Sequence, residues 1–384
     1  MRFRDALSAP GLAAIAEIKR RSPSAGDLRP DADPAVLAQG FERAGASALS
    51  VLVDERFGGS PADLVAARSA TELPILAKGF FREESELASL RAAGADAVLL
   101  LLRDLDDPLA AHLMAAATDL GLDTLVEAHS APELERAIAL GADPIGINAR
   151  DLTTFRIDRA AQLDFVAKAP RDRVIVAESG IESRAQAAAA ELAGADAVLV
   201  GSALMRAADP ASKLRELLAR PLVKVCGLTR EEDVAAAAEA GADLAGFILA
   251  AESPRQADRV LAVPETMLSV AVLVGELQDA PADLVQRYAR ENGHRSRDAV
   301  LLRHGEPVAQ VADLPWEHED PSHLEHAARI EGRLVLAGKL GPENVRAAIE
   351  AVHPWAVDAS SQLEVSPGIK DHERIRAFVE AVRS

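Results

Sequence analysis

The spacing of short apolar runs constrains the fold of this chain more than any other feature of its sequence. Eight β-type runs, separated by Ala/Leu/Glu-rich helical segments, recur about every 26 residues through the first half, which is the period of a (β/α)8 barrel. They begin at Ile15, Ala48, Pro74, Ala97, Asp123, Ile145, Val174 and Ala197. The alternative is a doubly wound open sheet, which usually has fewer strands and a glycine-rich loop where this chain has IKRRSPS. The spacing therefore favours a barrel.

A repeated phrase supports the barrel. RAGASA, AAGADA, ALGADP and LAGADA each precede an even-numbered run. Glycine at this place ends a helix and turns the chain into the next strand. A fifth copy, EAGADL, follows residue 218, so the same construction is expected to continue into the second half.

The pattern restarts at PLVKVCGL, which predicts two domains, 1–218 and 221–384, joined at Arg220-Pro221. The second half offers seven strand candidates where a complete barrel needs eight. They begin at Pro221, Leu244, Ser269, Asp298, Pro307, Arg333 and Ala356. The runs at 298 and 307 are too close for a helix between them, which indicates a hairpin or a lost βα unit. We therefore predict an α/β chain of two fused (β/α)8 (TIM) barrels. The second barrel is expected to be shortened, and an incomplete ring of strands is one alternative for it.

Composition restricts the partners and the compartment. A net charge of −18 argues against nucleic acid and anionic membranes as partners, although a small phosphorylated ligand needs only a local positive pocket. The single cysteine, Cys226, excludes an intrachain disulfide and suits a reducing cytoplasm. The N-terminus is too polar for a signal peptide, and no apolar run reaches the roughly 18 residues of a membrane span. We expect a cytoplasmic monomer.

Polar residues occur where the strands of the first half end. In IAEIKRRSPS, Glu17 and Lys19 share one face of a strand because successive side chains alternate. Taken alone, this pair fits the solvated face of an edge strand. The ends of the other strands carry Lys78, Glu127, Asn148, Glu178 with Ser179, and Gly201 with Ser202. Because barrels place their active sites at these ends, the residues are expected to converge on one mouth.

The last two loops of the first half, AESGI and VGSAL, offer backbone N–H groups where barrels commonly hold phosphate. Ser22 in the first loop adds a hydroxyl. The predicted site therefore combines acid–base residues with a phosphate-binding end.

These residues closely resemble the indole-3-glycerol-phosphate synthase family. The motifs IAEIKRRSPS, ILAKGF, LVEAH, IGINARDL, VAESGI and VGSALM occur in the family's order and cover roughly residues 1–218. The resemblance implies closure of the indole ring of tryptophan biosynthesis from carboxyphenylamino-deoxyribulose phosphate, with release of carbon dioxide and water. It implies no metal and no organic cofactor.

The resemblance also implies roles for individual residues. Lys78 matches the general acid, Glu127 the general base and Lys19 a second catalytic lysine, with Glu17 and Asn148 as companions. Glu178 and Ser179 match residues that line the site, and Ser22, Gly180, Gly201 and Ser202 match the phosphate site. Two departures stand out: Gly79 replaces a usual acidic residue after Lys78, and only Met1–Ala14 precede the first strand, where about 40 residues are usual. The second departure predicts looser closure over the substrate.

The second half resembles phosphoribosylanthranilate isomerase, which performs an Amadori rearrangement with a cysteine base and an aspartate acid. VKVCGLTREEDV, GFILAAESPRQ, LVLAGKLGPENV and DASSQLEVSPGIKD carry the resemblance over residues 221–384, mainly at the two ends. Cys226 matches the base, although a lone buried cysteine is more often a small hydrophobe. Asp313 is the first candidate for the acid and Asp320 the second.

The same resemblance assigns substrate binding to Arg255 and phosphate binding to Ser360 and Ser361. The glycine-rich loop expected after Asp313 is absent, and Lys339 stands in AGKL where AGGL is usual. Three hypotheses follow: a bifunctional enzyme, a synthase with a non-catalytic second domain, or two phosphate-ligand-binding barrels without catalysis.

Overall fold

The computed structural model describes residues 2–22, 26–151, 156–276, 280–291, 294–314 and 320–384. The chain forms two compact units, Met1–Glu182 with Ala187–Leu218 and Ser183–Gln186 with Ala219–Ser384. Each unit is built around a closed barrel of eight strands. Within the described ranges, no helix has the length and apolar character needed to cross a bilayer.

The first barrel alternates strands and helices. Its strands are β1 Ala13–Ile18, β2 Arg21–Ser22, β3 Gly26–Asp27, β4 Ala48–Leu52, β5 Ile75–Lys78, β6 Ala97–Leu101, β7 Asp123–Ala128, β8 Ile145–Asn148, β9 Ile175–Glu178 and β10 Ala197–Val200. Its helices are α1 Arg2–Leu7, α2 Pro34–Arg43, α3 Pro61–Arg68, α4 Glu84–Ala92, α5 Asp107–Asp119, α6 Ala131–Ala139, α7 Arg159–Lys168, α8 Arg184–Ala193, α9 Ser202–Arg206 and α10 Pro210–Leu218; Glu55–Phe57 form a 3₁₀ turn.

All eight barrel strands of this unit are parallel, in the order β1-β10-β9-β8-β7-β6-β5-β4, while β2 and β3 form a separate hairpin. Each of the eight predicted runs forms one barrel strand. The strands are almost entirely buried because both faces are covered, which is why they consist of near-continuous apolar residues. The predicted barrel fold is confirmed.

Helix α1 closes the end of the first barrel opposite the mouth. Phe3 and Leu7 are fully buried among the inward-facing side chains of the strands. The backbone N–H of Phe3 donates to Asp123 Oδ2 at 3.1 Å, and Asp123 is the first residue of β7. The short N-terminal segment therefore seals the amino ends of the strands.

The repeated Gly-Ala-Asp phrase has a structural role in both units. Its glycine adopts the left-handed backbone conformation, with φ of 110° at Gly194, as expected where a helix turns into a strand. The aspartate then accepts a hydrogen bond from the backbone N–H that begins a neighbouring strand. The N–H of Ile175 donates to Asp196 Oδ2 at 2.8 Å, and the N–H of Val223 donates to Asp243 Oδ2 at 2.8 Å. The phrase thus fixes the amino ends of adjacent strands.

The second barrel has fewer helices. Its strands are β11 Leu222–Cys226, β12 Leu244–Ile248, β13 Leu268–Val274, β14 Leu284–Glu291, β15 His294–Arg303, β16 Glu306–Ala312, β17 Leu334–Leu336, β18 Ala356–Ala359, β19 Glu364–Ser366 and β20 Ile369–Lys370. Its helices are α11 Glu231–Ala240, α12 His323–Ala327, α13 Val345–Val352 and α14 His372–Arg383, with a 3₁₀ turn at Ser361–Leu363.

The ring β11–β18 is closed but mixed. Strand β15 pairs antiparallel with both β14 and β16, whereas the other strands pair parallel. The predicted hairpin near residues 298–312 is therefore confirmed. The count of seven strands is wrong because it omits β14, in which buried Gln286 and Tyr288 alternate with exposed residues and interrupt the apolar pattern.

Candidate active sites

The first cavity opens at the carboxyl ends of the strands of the first barrel and has a volume of about 660 Å³. The predicted residues that line it are Glu17, Lys19, Ser22, Lys78, Glu127, Asn148, Ser179, Gly180, Gly201 and Ser202. Glu178 is fully buried and lies behind this lining, where it contacts Lys78. The strands thus bring the whole predicted set to one end of the barrel.

Lys78, the last residue of β5, is surrounded by three buried carboxylates. Its Nζ lies 2.6 Å from Glu178 Oε2, 3.5 Å from Glu17 Oε2 and 3.6 Å from Glu127 Oε2. Burial alone would lower the pKa of Lys78, but the three carboxylates, Glu178 most, raise it above its ordinary value. These three carboxylates take the place of the acidic side chain that Gly79 lacks, and they keep Lys78 charged.

Strand β1 supplies the second lysine. Lys19 Nζ lies 2.5 Å from Glu17 Oε1. Burial would raise the pKa of Glu17, but Lys19 and Lys78 lower it, so this carboxylate stays ionised between two cations. A Cβ added at Gly201 would lie 2.2 Å from Glu17 Oε1, so glycine leaves the room that the pair occupies. Because β1 pairs with both β10 and β4, the edge-strand alternative is wrong.

Glu127 on β7 is held by groups on two sides. Asn148 Nδ2 donates to Glu127 Oε1 at 3.1 Å, and His129 Nε2 lies 3.0 Å from the same oxygen. Burial would raise the pKa of Glu127, but Lys78 and His129 lower it below its usual range. Burial would lower the pKa of His129, whereas Glu127 and Glu133 raise it to about 9. Glu127 is therefore an oriented anion, as a general base must be.

For Glu178, the effects that raise the pKa outweigh those that lower it. Burial and then the neighbouring Glu127 carboxylate raise its pKa to about 8, although Lys78 opposes them. Its Oε1 fills space above Gly146, where an added Cβ would lie only 2.2 Å away. Two adjacent carboxylates thus titrate far apart, which is a usual property of acid–base sites.

The remaining predicted residues line the first cavity just after strands β9 and β10. Ser179 and Gly180 adopt positive φ angles of 69° and 73°, so their backbone turns sharply after β9. An added Cβ at Gly180 would lie 2.9 Å from Ile157 Cγ2, so the close approach requires glycine. Gly201 and Ser202 begin α9. Backbone N–H groups in such turns are suited to an anion.

The second cavity, of about 570 Å³, lies at the mouth of the second barrel. The predicted residues Cys226, Arg255, Asp313, Ser360 and Ser361 all line it, and Lys339 does too. The second candidate for the acid, Asp320, is not part of this lining: it pairs with Arg297 Nη1 at 2.6 Å. The residues 315–319 after Leu314, where a glycine-rich loop was expected, lie outside the described residues.

A hydrogen-bonded chain crosses the second barrel beneath its cavity. Lys224 Nζ donates to Asp358 Oδ2 at 2.6 Å and to Gln286 Oε1 at 2.9 Å. Gln286 Nε2 donates to the hydroxyl of Tyr288 at 2.7 Å, and that hydroxyl donates to Asp313 Oδ2 at 2.8 Å. The chain joins strand β11, which carries the candidate base, to the loop that carries the candidate acid.

Both candidate catalytic groups of the second barrel are shielded from solvent. Burial raises the pKa of the Cys226 thiol, although the Lys224 ammonium opposes this. Burial also raises the pKa of Asp313, against the effect of Arg295. Cys226 therefore rests as a thiol and needs its neighbouring cations to act as a base.

The part of the second cavity around Arg255 and Ser360 contains a buried cluster of charged side chains. Arg255 Nε donates to Glu364 Oε2 at 2.8 Å, and Lys370 Nζ donates to Glu364 Oε1 at 2.8 Å. Ser360 Oγ is buried and has no hydrogen-bond partner among the described residues. An added Cβ at Gly227 would lie 2.9 Å from Ser360 Oγ and 3.1 Å from Arg255 Cδ, so these groups adjoin one another.

Several residues of the two sites were not identified from the sequence. They are His129 in the first barrel and Lys224, Gln286, Tyr288, Arg295, Asp358, Glu364 and Lys370 in the second. His129 lies inside the motif LVEAH, and Lys224 lies two residues before Cys226, so both could have been found by asking which side chains share a strand face. The others depend on contacts between distant segments.

Fold and sites define the chain as a pair of fused barrels, each with a cavity lined by ionisable residues at its mouth. A sequence model described as indole-3-glycerol phosphate synthase matches residues 1–217, and one described as N-(5'phosphoribosyl)anthranilate isomerase matches residues 319–381. The chain belongs to the indole-3-glycerol phosphate synthase family. Its second domain is a phosphoribosylanthranilate isomerase domain, so the chain is a fusion of two enzymes of tryptophan biosynthesis.

Two curated proteins and one solved structure illustrate what the chain is similar to. Indole-3-glycerol phosphate synthase 2 of Streptomyces coelicolor is 46% identical over 56% of this chain and 84% of its own length. The multifunctional tryptophan biosynthesis protein of Schizosaccharomyces pombe is 33% identical over 97% of this chain, which spans 59% of that longer protein. The crystal structure of phosphoribosyl anthranilate isomerase from Thermotoga maritima is 25% identical, covering 43% of this chain and 99% of that one, with a TM-score of 0.33.

Proposed function

We propose that the first barrel closes the indole ring with Lys78 as general acid, Glu127 as general base and Lys19 as the second lysine. The observation that carries this proposal is that Lys78, which lines the first cavity, lies among three buried carboxylates. As the aromatic carbon attacks the ketone, the carbonyl oxygen gains negative charge and must receive a proton, which a positioned ammonium can donate.

The later steps need the other charged groups. A lysine pairs with the carboxylate of the substrate before that group leaves as carbon dioxide, and the new hydroxyl leaves as water with help from an acid and a base. Glu17 forms an ion pair with Lys19, and Asn148 orients Glu127. We assign the substrate phosphate to Ser22, Gly180, Gly201 and Ser202, and we assign Ser179 and Glu178 to the lining of the substrate site.

We propose that the second barrel isomerises phosphoribosylanthranilate, with Cys226 as base and Asp313 as acid. Asp313 protonates the ring oxygen while the sugar ring opens, and Cys226 removes the proton from the adjacent carbon. The support is that both residues line one cavity, whereas Asp320 does not. Arg255, Ser360 and Ser361 are assigned to substrate and phosphate binding. The rate is expected to be low because the thiol is the resting form of Cys226.

The test is to supply the purified chain with each substrate separately. We expect carboxyphenylamino-deoxyribulose phosphate to give indole-3-glycerol phosphate, and phosphoribosylanthranilate to give the carboxyphenylamino compound slowly but above background. Isomerisation no faster than the background would replace this proposal with a synthase that carries a non-catalytic second domain.

We also propose that the chain acts as a monomer in the cytoplasm, without nucleic-acid partners. The acidic net charge of −18 disfavours binding to polyanions, and the lone Cys226 suits a reducing compartment. Light scattering at micromolar concentration should give the mass of one chain, 40.4 kDa.

A further inference from the structure

A third cavity lies beside the first one, and the proposed mechanism does not use it. Its volume is about 540 Å³, and it is lined by residues of helices α6 and α7 and of the loops after β7 and β8. The exposed residues Arg103, Asp151 and Asp158 belong to its lining, so the cavity opens to solvent. Arg103 and Asn148 line both the first and the third cavity. The two cavities therefore share a wall.

His129 stands at this wall, between the candidate base and the third cavity. Glu127 lines the first cavity, whereas His129 and Glu133 line the third. His129 Nε2 lies 3.0 Å from Glu127 Oε1, and His129 Nδ1 lies 3.5 Å from Glu133 Oε2. The exposed fraction of the side chain rises along this row, from 2% at Glu127 to 10% at His129 and 19% at Glu133. His129 thus joins a fully buried carboxylate to one that lies close to solvent.

The two oxygens of Glu127 have different surroundings. Oε1 accepts a hydrogen bond from Asn148 Nδ2 at 3.1 Å and also faces His129. Oε2 is buried, has no hydrogen-bond partner within the described part of the chain, and lies 3.6 Å from Lys78 Nζ. A proton added to Oε1 would meet N–H groups that already point at that oxygen, whereas the lone pairs of Oε2 are available. Oε2 is therefore the oxygen that is suited to accept a proton.

The electrostatics around His129 fit a charged ring. The charged groups that face His129 are Glu127 and Glu133, and Glu127 itself is faced by Lys78, His129 and Glu178. Burial would lower the pKa of His129, but the two carboxylates raise it to about 9, so the ring is an imidazolium at neutral pH. An imidazolium donates from both of its nitrogens, so the ring can point one N–H at each carboxylate.

We propose that His129 is a positioning residue of the synthase site, which holds Glu127 Oε1 from the side of the third cavity and leaves Oε2 to take the proton of the substrate. The inference rests on the proposed ring-closing function and deepens it. His129 acts through Glu127 rather than by contact with the substrate.

The step that depends on this arrangement is the loss of water. The C–H bond beside the ring nitrogen breaks, and its electron pair forms the double bond of the new ring. The hydroxyl leaves as water with a proton from the acid, and the proton of the C–H bond goes to Glu127 Oε2. A carboxylate that turned away from this hydrogen would still be a base, but it would be misplaced for the transfer.

The test removes the imidazole ring and returns it from solvent. His129→Ala should lower synthase kcat by about 10- to 100-fold and change KM by less than about twofold, because a hydrogen bond to a charged group contributes on that scale and the substrate lies on the other side of Glu127. Added imidazole can reach the vacated space through the third cavity, and it should raise the kcat of this variant by about fivefold or more, with saturation. Pyrazole is similar in size but stays neutral, so it should not restore activity.

The control is Phe165→Leu, which changes another residue that lines the third cavity. It should keep the wild-type kcat and should not respond to imidazole. Equal rescue of His129→Ala by imidazole and pyrazole would mean that the ring only fills space, and this outcome would overturn the proposal. The absence of rescue in a folded His129→Ala protein would overturn it too.

A second variant decides the inference if His129→Ala does not fold. His129→Gln keeps a side chain with an N–H donor but removes the positive charge, so kcat should fall by about tenfold. A folded His129→Gln protein with the wild-type kcat would show that the imidazolium is not needed. A wild type that forms no indole-3-glycerol phosphate would instead refute the proposed function itself, and this result is read before any variant is compared.

Discussion

The two barrels place their chemistry on the same strand positions but organise charge differently. In the first barrel, Glu17 and Lys19 come from the first strand and from the residue just beyond it, and carboxylates from three strands surround Lys78. In the second, Lys224 and Cys226 come from the first strand, and charge is spread along a chain that crosses the barrel. A compact cluster fixes protonation states locally, whereas a chain makes each state depend on its neighbours.

The largest effect is expected for substitutions in the cluster of Lys78 and its surrounding carboxylates. Lys78→Ala and Glu127→Gln should each lower synthase kcat by at least about a hundredfold, because a general acid or base contributes on that scale. Isomerase activity should not change. The controls are Lys168→Met and Glu135→Gln, which alter exposed residues of helices α7 and α6. Near-normal turnover by a folded Glu127→Gln protein would remove Glu127 from its role as the base.

The corresponding test in the second barrel concerns isomerisation, which is expected to be the slower of the two activities. Cys226→Ala and Asp313→Asn should each abolish isomerisation, since the acid and the base act on one substrate and each step depends on the other. Synthase activity measured on the same samples should stay at the wild-type level. Asp320→Asn is the control, because Asp320 lies outside the cavity. Loss of isomerisation in Asp320→Asn alone would move the acid to that residue.

Only part of this contrast could be predicted from the sequence. All eight strands of the first barrel follow from apolar runs, because a strand buried on both faces has little room for polar residues. The same criterion fails for β14 of the second barrel, where the buried Gln286 and Tyr288 alternate with exposed residues such as Arg287. Inward polar residues lower the local hydrophobicity even though they are buried, so the strand resembles a solvated segment.

The residues of the two sites also divide into those that the sequence identifies and those that it does not. Residues inside ordered motifs, such as Lys78 and Cys226, could be assigned from the sequence. The contacts that set their charge could not, because Glu178, itself predicted at the mouth, meets Lys78 across 100 positions of chain, and Asp358 meets Lys224 across 134. Such contacts depend on how the strands close into a ring.

A milder change in the first barrel should shift its pH dependence. Glu17→Gln removes one of the carboxylates that raise the pKa of Lys78, so that pKa moves down. Because the acid must be protonated, the alkaline limb of the rate profile should move to lower pH, and kcat should fall by about tenfold. An alkaline limb that stays in place would mean that Glu17 does not control the acid.

His129 should make the stability of the first barrel depend on pH. Its pKa is about 9 in the folded protein against about 6.5 in an unfolded chain, so its contribution is complete below pH 6.5 and is lost as pH rises through 9. The free energy of unfolding of the wild type should therefore decline by about 1–2 kcal/mol relative to His129→Asn over this window. Parallel pH curves for the two proteins would contradict the assignment.

The smallest effect concerns the amino ends of the strands. Asp196→Ala removes the acceptor for the N–H of Ile175 and should lower the free energy of unfolding by about 1 kcal/mol. The exposed Asp172→Ala is the control. Both variants should keep the wild-type kcat and KM of the synthase, because the change lies at the end of the barrel opposite the mouth. A change in KM would show that this end communicates with the site.

The repeated Gly-Ala-Asp phrase, which joins a helix to the next strand, also suggests where segments of the two barrels could be exchanged. Each joint uses a glycine turn and a carboxylate that binds a backbone N–H, so its geometry is independent of the side chains at the mouth. We therefore expect residues 194–196 and 241–243 to serve as boundaries for moving a strand with its following loop between the barrels, provided that the arginine partners of Asp243, Arg184 and Arg383, are kept. The same phrase can connect a helix to a strand whichever catalytic residues stand at the mouth.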